Sequence, residues 1–242
     1  MNKALETPTI LIGSLVRDRE WILPRFLEAI HNIDYPKDRI DLYFIINDSY
    51  DESAGIIQGF LSEFGSEYNS CVFSILNSGA PRNVRQGKVR RKLYKTLAKL
   101  RNSLLDYWGR VSKADNYLSV DCDIIVNPNI VNKLLELDNN MSAAIIANHF
   151  GEYRIGNIMN IENGDFKHVD LAKVASDAIV EVDLSGACIL FKRQFFLDNP
   201  SYIYADDNIG EDAGLHHKTY RGNHKIKAIK GLAEHIMRRD ET

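Results

Sequence analysis

Short apolar runs rich in β-branched residues alternate with amphipathic helical stretches along this chain, and no other feature limits its fold as strongly. Thr9 to Val16 (TILIGSLV) reads as a buried strand. Trp21, Ile22, Phe26, Leu27 and Ile30 follow on one side of a helix. Its regular part begins near Leu23, because Pro24 fits only in a first turn. Leu42 to Ile46 is a second strand, Ser53 to Phe64 a helix and Val72 to Leu76 a third strand. After a loop from Asn77 to Asn83, Val89, Leu93, Leu97, Leu100, Leu104 and Trp108 recur at spacings of three or four, which predicts a long helix stopped by Gly109. Tyr117 to Val120, Ile124 to Val126 and Ala143 to Ala147 read as strands, with a helix from Ile130 to Leu137. Phe150 to Asp177 is polar and shows no clear period. Ile179 to Val182 and Ala187 to Phe191 are strands around Ser185-Gly186, followed by a helix near Asp212 to Tyr220, a strand at Lys225 to Ile229 and a basic tail. The alternation predicts an α/β fold: a mixed, mostly parallel sheet with helices on both faces. One domain is expected over residues 1–242, about 1–126 forming one half and about 127–242 the other.

Composition narrows the class of partner. A 45% hydrophobic share with 26% charged residues suits a soluble domain with a sizeable core. A net charge of -3 gives no global attraction to nucleic acid or anionic membrane, so any phosphate must be met by a local basic patch. Cys71, Cys122 and Cys188 are too few and too scattered for a disulfide framework or a zinc site. No apolar run is long enough for a transmembrane segment, and Met1 to Pro8 is too polar for a signal peptide. The expected setting is therefore cytoplasmic.

Ligands of such sheets sit beyond the carboxyl ends of the strands. Three polar clusters fall there: Arg17-Asp18, Asn47-Asp48 and Asp121-Cys122-Asp123. Asp121 and Asp123 close the apolar run Tyr117 to Val120, where carboxylates are costly without a partner. Hard cations such as Mn2+ or Mg2+ take oxygen ligands and leave positions open for phosphate, so this pair is the candidate metal and diphosphate site. Asp48 is either a ribose or base contact or part of an Asx turn capping the next helix. On the basic helix beginning near Arg85, most charges are expected to be solvated. Glu211 and Asp212 are either a general base for a hydroxyl or acidic residues favoured at a helix N-terminus. His235 is a candidate late metal ligand or a surface histidine, and His216 and His217 are unassigned.

Leu15-Val16-Arg17-Asp18-Arg19-Glu20, Leu23-Pro24, Phe26-Leu27, Asp34 to Ile40 and Asn47-Asp48-Ser49-Tyr50-Asp51 resemble the catalytic domain of procollagen galactosyltransferases, and more loosely the Anp1-like and family 2 glycosyltransferases. The resemblance implies a GT-A (Rossmann-like) fold and a metal-dependent transfer of sugar from a nucleotide-sugar donor, UDP-linked in preference to GDP-linked. It implies Asp121 and Asp123 at metal and diphosphate, Arg17 and Asp48 at the nucleoside, Arg101 and Asn102 facing the donor, and Glu211-Asp212 on the acceptor side. The implied acceptor is a hydroxyl of a glycan or glycosylated protein. A sugar-1-phosphate nucleotidyltransferase is a weaker reading, since Gly13-Ser14-Leu15-Val16-Arg17 is a poor phosphate loop. A non-catalytic nucleotide- or carbohydrate-binding module is opposed by the intact acidic residues.

Overall fold

Alternation along each strand divides the core into two layers. In the computed structural model, which describes residues 7–79, 88–150, 153–200, 203–205, 210–218 and 225–237, β1 (Ile10–Val16) sends Ile10 and Ile12 to one face and Leu11 to the other. α1 (Leu23–His31) follows with Pro24 in its first turn and buries Leu23, Phe26, Leu27 and Ile30, the spacing of a single apolar stripe. β2 (Ile40–Asn47), α2 (Ser53–Phe64) and β3 (Ser70–Leu76) repeat the unit. α3 (Lys88–Tyr107), β4 (Asn116–Val120), β5 (Ile124–Val126) and α4 (Ile130–Glu136) come next. The chain then forms β6 (Met141–Ala144), β7 (Ala147–Phe150), β8 (Tyr153–Glu162), β9 (Asp165–Asp170), β10 (Ile179–Val182), β11 (Leu184–Ser185) and β12 (Cys188–Lys192). α5 (Arg193–Asp198), α6 (Glu211–Lys218), β13 (Ile226–Ile229) and β14 (Ala233–His235) complete it.

The central sheet has eight strands in the order β10-β13-β6-β12-β4-β1-β2-β3. β3, β2, β1 and β4 are parallel, and β12 runs against both β4 and β6. This is a mixed, mostly parallel sheet flanked by helices, the GT-A (Rossmann-like) arrangement. α1, α2 and α4 cover the face carrying Ile12, Phe44 and Leu118. α3, α5 and α6 cover the face carrying Leu11, Ile45 and Tyr117, together with Ile158 of a smaller sheet in which β8 joins β11, β7 and β9. Gly13 permits one close approach there: a Cβ would stand 2.9 Å from the ring of Tyr117.

Four features depart from the sequence pattern. The long helix does not stop at Gly109 but continues as a π-helical turn over Trp108–Ser112, ending at Lys113 with φ +56°. Tertiary bonds outweigh the glycine: Trp108 Nε1 donates to Ala114 O at 2.8 Å, and Ser112 Oγ to the buried Asp41 carboxylate at 2.5 Å. The expected strand Ala143 to Ala147 is two strands in different sheets. Ile145 N turns to Ile229 O and Ile146 N to the Asn157 side chain, which breaks the run. The polar stretch after Phe150 contains the β8–β9 hairpin, and Arg193–Asp198 is a helix the pattern did not indicate. Arg85, Pro81 and Tyr220 lie outside the described residues.

Candidate functional site

A cleft of about 480 Å3 opens at the carboxyl ends of β1, β2 and β4. Arg17, Asp18 and Arg19 border it after β1, Asn47 at the end of β2, and Asp121, Cys122 and Asp123 after β4. Leu93, Leu97, Leu100 and Arg101 of α3 form one wall, and Glu211 reaches it from α6.

Arg101 organises the inner end. It is 6% exposed. Nη2 donates to Asp121 Oδ1 at 2.9 Å, Nε to Glu211 Oε1 at 2.9 Å, and Asp212 Oδ1 stands 3.8 Å from Nε. The Tyr204 ring lies 5.6 Å from the guanidinium. Burial alone would weaken the charged guanidinium, but Asp121, Asp212 and Glu211 hold its pKa well above the ordinary value. Burial raises the Asp121 carboxyl against the pull of Arg101. Burial, with Glu211 and Asp121 nearby, raises Asp212 despite the same guanidinium.

The outer end is built by β14, which pairs with β5 so that His235 stands opposite Ile124. Asp123 Oδ2 accepts from Arg19 Nη2 at 3.1 Å and lies 3.7 Å from His235 Nε2. Burial would raise the Asp123 carboxyl, but His235 and Arg19 hold it below the ordinary range. Asp123 in turn raises the His235 imidazole. Cys122, between the two aspartates, is 4% exposed and its thiol is pushed up by burial, so it is inert packing.

Four carboxylates thus face two guanidiniums, leaving the cluster formally anionic. Among the described residues, no three His, Cys, Asp or Glu side chains are gathered to hold a metal ion. Asp123 and His235 converge, whereas Asp121 is turned to Arg101. Mg2+-like cations are commonly held by one or two carboxylates with phosphate completing the shell, a mode that Asp123 would serve, with Asp121 joining it only by leaving Arg101.

The remaining sequence candidates divide. Arg17 borders the cleft. Asp48, at φ +49°, accepts from Ser78 Oγ at 2.5 Å and from Gly79 N at 3.1 Å, fastening the loop after β3. Its neighbour Asn47 is 2% exposed, borders the cleft, and has a side-chain oxygen without a hydrogen-bond partner among the described residues. Sequence reasoning placed the carboxylate ahead of this amide; only burial singles it out. Asn102 clamps the backbone of Tyr204, Nδ2 to O and N to Oδ1, both at 2.8 Å. It borders a separate groove with Tyr43 and Tyr107.

Residues 7–156 match the family described as glycosyltransferase family 25, N-terminal domain. The chain belongs to that family. A glycosyltransferase 25 family member of Aedes aegypti is 32% identical over 136 residues, covering 55% of this chain and 22% of that protein. The chain therefore spans well under half the length of that family 25 relative. Among solved structures, S. aureus TarS 1-349 in complex with UDP-GlcNAc superposes with a TM-score of 0.58 at 15% identity, covering 96% of this chain and 59% of that one. A Pyrobaculum calidifontis mannosyltransferase, PcManGT, in complex with GDP-Man and Mn2+, gives 0.57 at 12% identity, covering 98% and 59%. At these identities the two structures speak to the fold alone. The matched stretch is the N-terminal domain of a glycosyltransferase family. Among the described residues no helix is long and apolar enough to cross a membrane.

Proposed function

We propose that this family 25 chain transfers a sugar from a UDP-sugar to a hydroxyl of a glycan or glycosylated protein, with the cleft beside Asp121 and Asp123 as the donor site. The observation that carries the reading is the gathering of Asp121, Glu211 and Asp212 on the buried Arg101, with Asp123 bordering the same cleft at the carboxyl ends of the parallel strands. Residues up to about 126 supply the donor side, and α6 supplies the acceptor side.

Asp121 and Asp123, with His235 beside them, would hold Mn2+ or Mg2+; the complex of PcManGT with Mn2+ is consistent with this. Such an ion supplies charge neutralisation for the departing diphosphate. Arg17 and Asn47 are assigned to the nucleoside. The Asn47 amide is buried, and its unpartnered oxygen gains a hydrogen bond from a base or ribose. Asp48 takes no direct part in this reading, because Ser78 and Gly79 engage its carboxylate. Asn102 acts through Tyr204, which it holds against Arg101.

Transfer is a direct displacement. The acceptor hydroxyl oxygen bonds to the anomeric carbon, the bond from that carbon to the β-phosphate oxygen breaks, and nucleoside diphosphate leaves. Asp212 takes the hydroxyl proton. A carboxyl held above its ordinary pKa suits that role, because its basicity lies nearer the working pH. Glu211, fixed on Arg101 at 2.9 Å, positions the guanidinium instead.

Thermal shift with UDP and with GDP, each with and without Mn2+, tests the donor assignment. Binding to the native state alone raises the melting temperature. A Mn2+-dependent rise with UDP that is absent in Asp123→Ala is expected. A rise with GDP alone would transfer the assignment to a GDP-sugar, and none with either would remove the donor site from this cleft.

A further inference from the structure

The carbonyls of Ser185, Gly186 and Ala187, between β11 and β12, are held from three directions. Neutral His216 of α6 donates Nε2–H to Ser185 O at 3.1 Å. Asn157 of β8 donates Nδ2–H to Gly186 O at 2.8 Å. The backbone N–H of Asp121 donates to Ala187 O at 2.8 Å. Ala187 sits at φ +62°, a conformation a residue with a side chain keeps only when its surroundings impose it. Gly186 bears on the site in a different way: a side chain there would force the Asp212 carboxylate to move. A Cβ there would collide with the Asp212 carboxylate, whose Cγ would be 2.9 Å away. Asp212 therefore rests on one residue of this turn, and the Asp121 backbone hangs from the next.

The anchoring of the turn to the sheet runs through Asn157. Oδ1 accepts from Ile146 N at 2.8 Å, and Nδ2 donates to Ala144 O at 3.0 Å as well as to Gly186 O, with Ser185 Oγ at 3.3 Å. One amide thus spans the end of a core strand and the turn beneath the acidic cluster. The geometry needs both a donor and an acceptor on a short planar group. A carboxylate of the same shape would set an oxygen against two carbonyls, and an alkyl group would remove the side-chain partner of Ile146 N and Ala144 O and leave Gly186 O with only the bond from Cys188 N at 2.7 Å.

We propose that Asn157 is a positioning residue for the transferase: by fixing Gly186 and its neighbours it sets where Asp212 and Asp121 stand. The proposal rests on the assignment of those two carboxylates above. It places a determinant of turnover in the β8 hairpin, at a residue that does not border the cleft.

The test uses Asn157→Asp, Asn157→Ser as a milder variant should the first unfold, and Gly186→Ala. Amide hydrogen exchange is followed at Asp121 and along α6, and turnover is followed as UDP release from a UDP-sugar, expressed per UDP-binding site. In a folded Asn157 variant, exchange at the Asp121 amide should accelerate while amides of β1 and β2 stay protected. The kcat per binding site should fall by about a hundredfold, the loss expected of a displacement near 1 Å, and UDP affinity in the presence of Mn2+ should weaken as Asp121 shifts. Asn157→Asp and Gly186→Ala should be non-additive in kcat, because both act through one turn. A purely structural asparagine would lower the folded fraction without these changes. Unaltered exchange at Asp121, or kcat per site equal to wild type, overturns the proposal. A wild-type protein that binds UDP but never turns over a donor would overturn the transferase reading instead, and the exchange measurement would still decide the positioning.

Discussion

The first 126 residues and the remainder are built by different means. In the first part, parallel strands alternate with helices, and neighbouring βα turns bind one another. Asp18 Oδ1 accepts from Tyr50 N, Asp51 Oδ2 from Glu20 N, and Glu20 Oε2 from Glu52 N, each at 2.9 Å. The donor side of the cleft is assembled this way. In the second part β12 runs antiparallel, a smaller sheet lies across the core, and placement depends on single long-range bonds. Arg101 reaches Glu211 across 110 positions, and the single Asn157 side chain ties Gly186 to the end of β6. Local periodicity builds the first kind of structure almost unaided, whereas the second kind depends on a few polar contacts whose loss moves a functional group.

The largest expected effect separates the two parts chemically. Asp123→Ala should reduce donor turnover on the order of a thousandfold or more, since charge stabilisation of a leaving diphosphate is worth several kcal/mol. It should also abolish Mn2+-dependent stabilisation by UDP. Asp212→Asn should lower transfer by roughly a thousandfold, within the usual contribution of a positioned base, while leaving UDP binding intact. Steady-state kinetics paired with UDP titration reads both variants. Loss of UDP binding in Asp212→Asn would erase the division into donor and acceptor sides. Because burial raises the Asp212 carboxyl, and because it must be ionised to accept a proton, wild-type kcat should climb with pH above the ordinary carboxylate range. A rate independent of pH there would remove Asp212 as the base.

The same contrast governs how much was legible in the sequence. Strands β1, β2 and β4 announce themselves because both faces are buried and the residues are mostly apolar. The carboxylates at Asp121 and Asp123 stand out against that apolar run. The β8–β9 hairpin carried no such mark: β9 is Asp-Phe-Lys-His-Val-Asp, largely exposed on both faces, so neither a strand nor a helix period develops. Asn157 was invisible because its importance is a set of hydrogen bonds rather than a pattern. Asp48 and Asn47 were assigned in the order of their usual chemistry, and no sequence rule foretells that Ser78 and Gly79 engage one of them.

A pH effect on stability belongs to the second part. Burial pushes the His216 imidazole down to about 4, so it stays neutral in the native state and donates to Ser185 O. The unfolded chain takes up a proton near pH 6.5, so its contribution is complete above that pH and declines as pH falls toward 4. The loss is roughly 3 kcal/mol at full extent. Chemical denaturation at pH 7 and pH 5 should show lower stability at pH 5, and His216→Gln should flatten that difference. An equal pH dependence in the variant would mean that other groups produce it.

The smallest expected effect sharpens the donor side. Asn47→Leu keeps the branched shape and removes an amide whose oxygen has no hydrogen-bond partner among the described residues, so stability should change little. UDP affinity should weaken by about tenfold, the equivalent of one hydrogen bond of roughly 1.4 kcal/mol. Asp48→Asn should behave oppositely. It weakens the bonds from Ser78 Oγ and Gly79 N, so the melting temperature should fall while UDP affinity changes little. The pair is informative because the two residues are adjacent and differ only in what engages them. If Asp48→Asn proved the variant that weakened UDP, and Asn47→Leu left affinity untouched, the carboxylate would return to the nucleoside. The hydrogen bonds to the loop after β3 would then have to open when the donor binds.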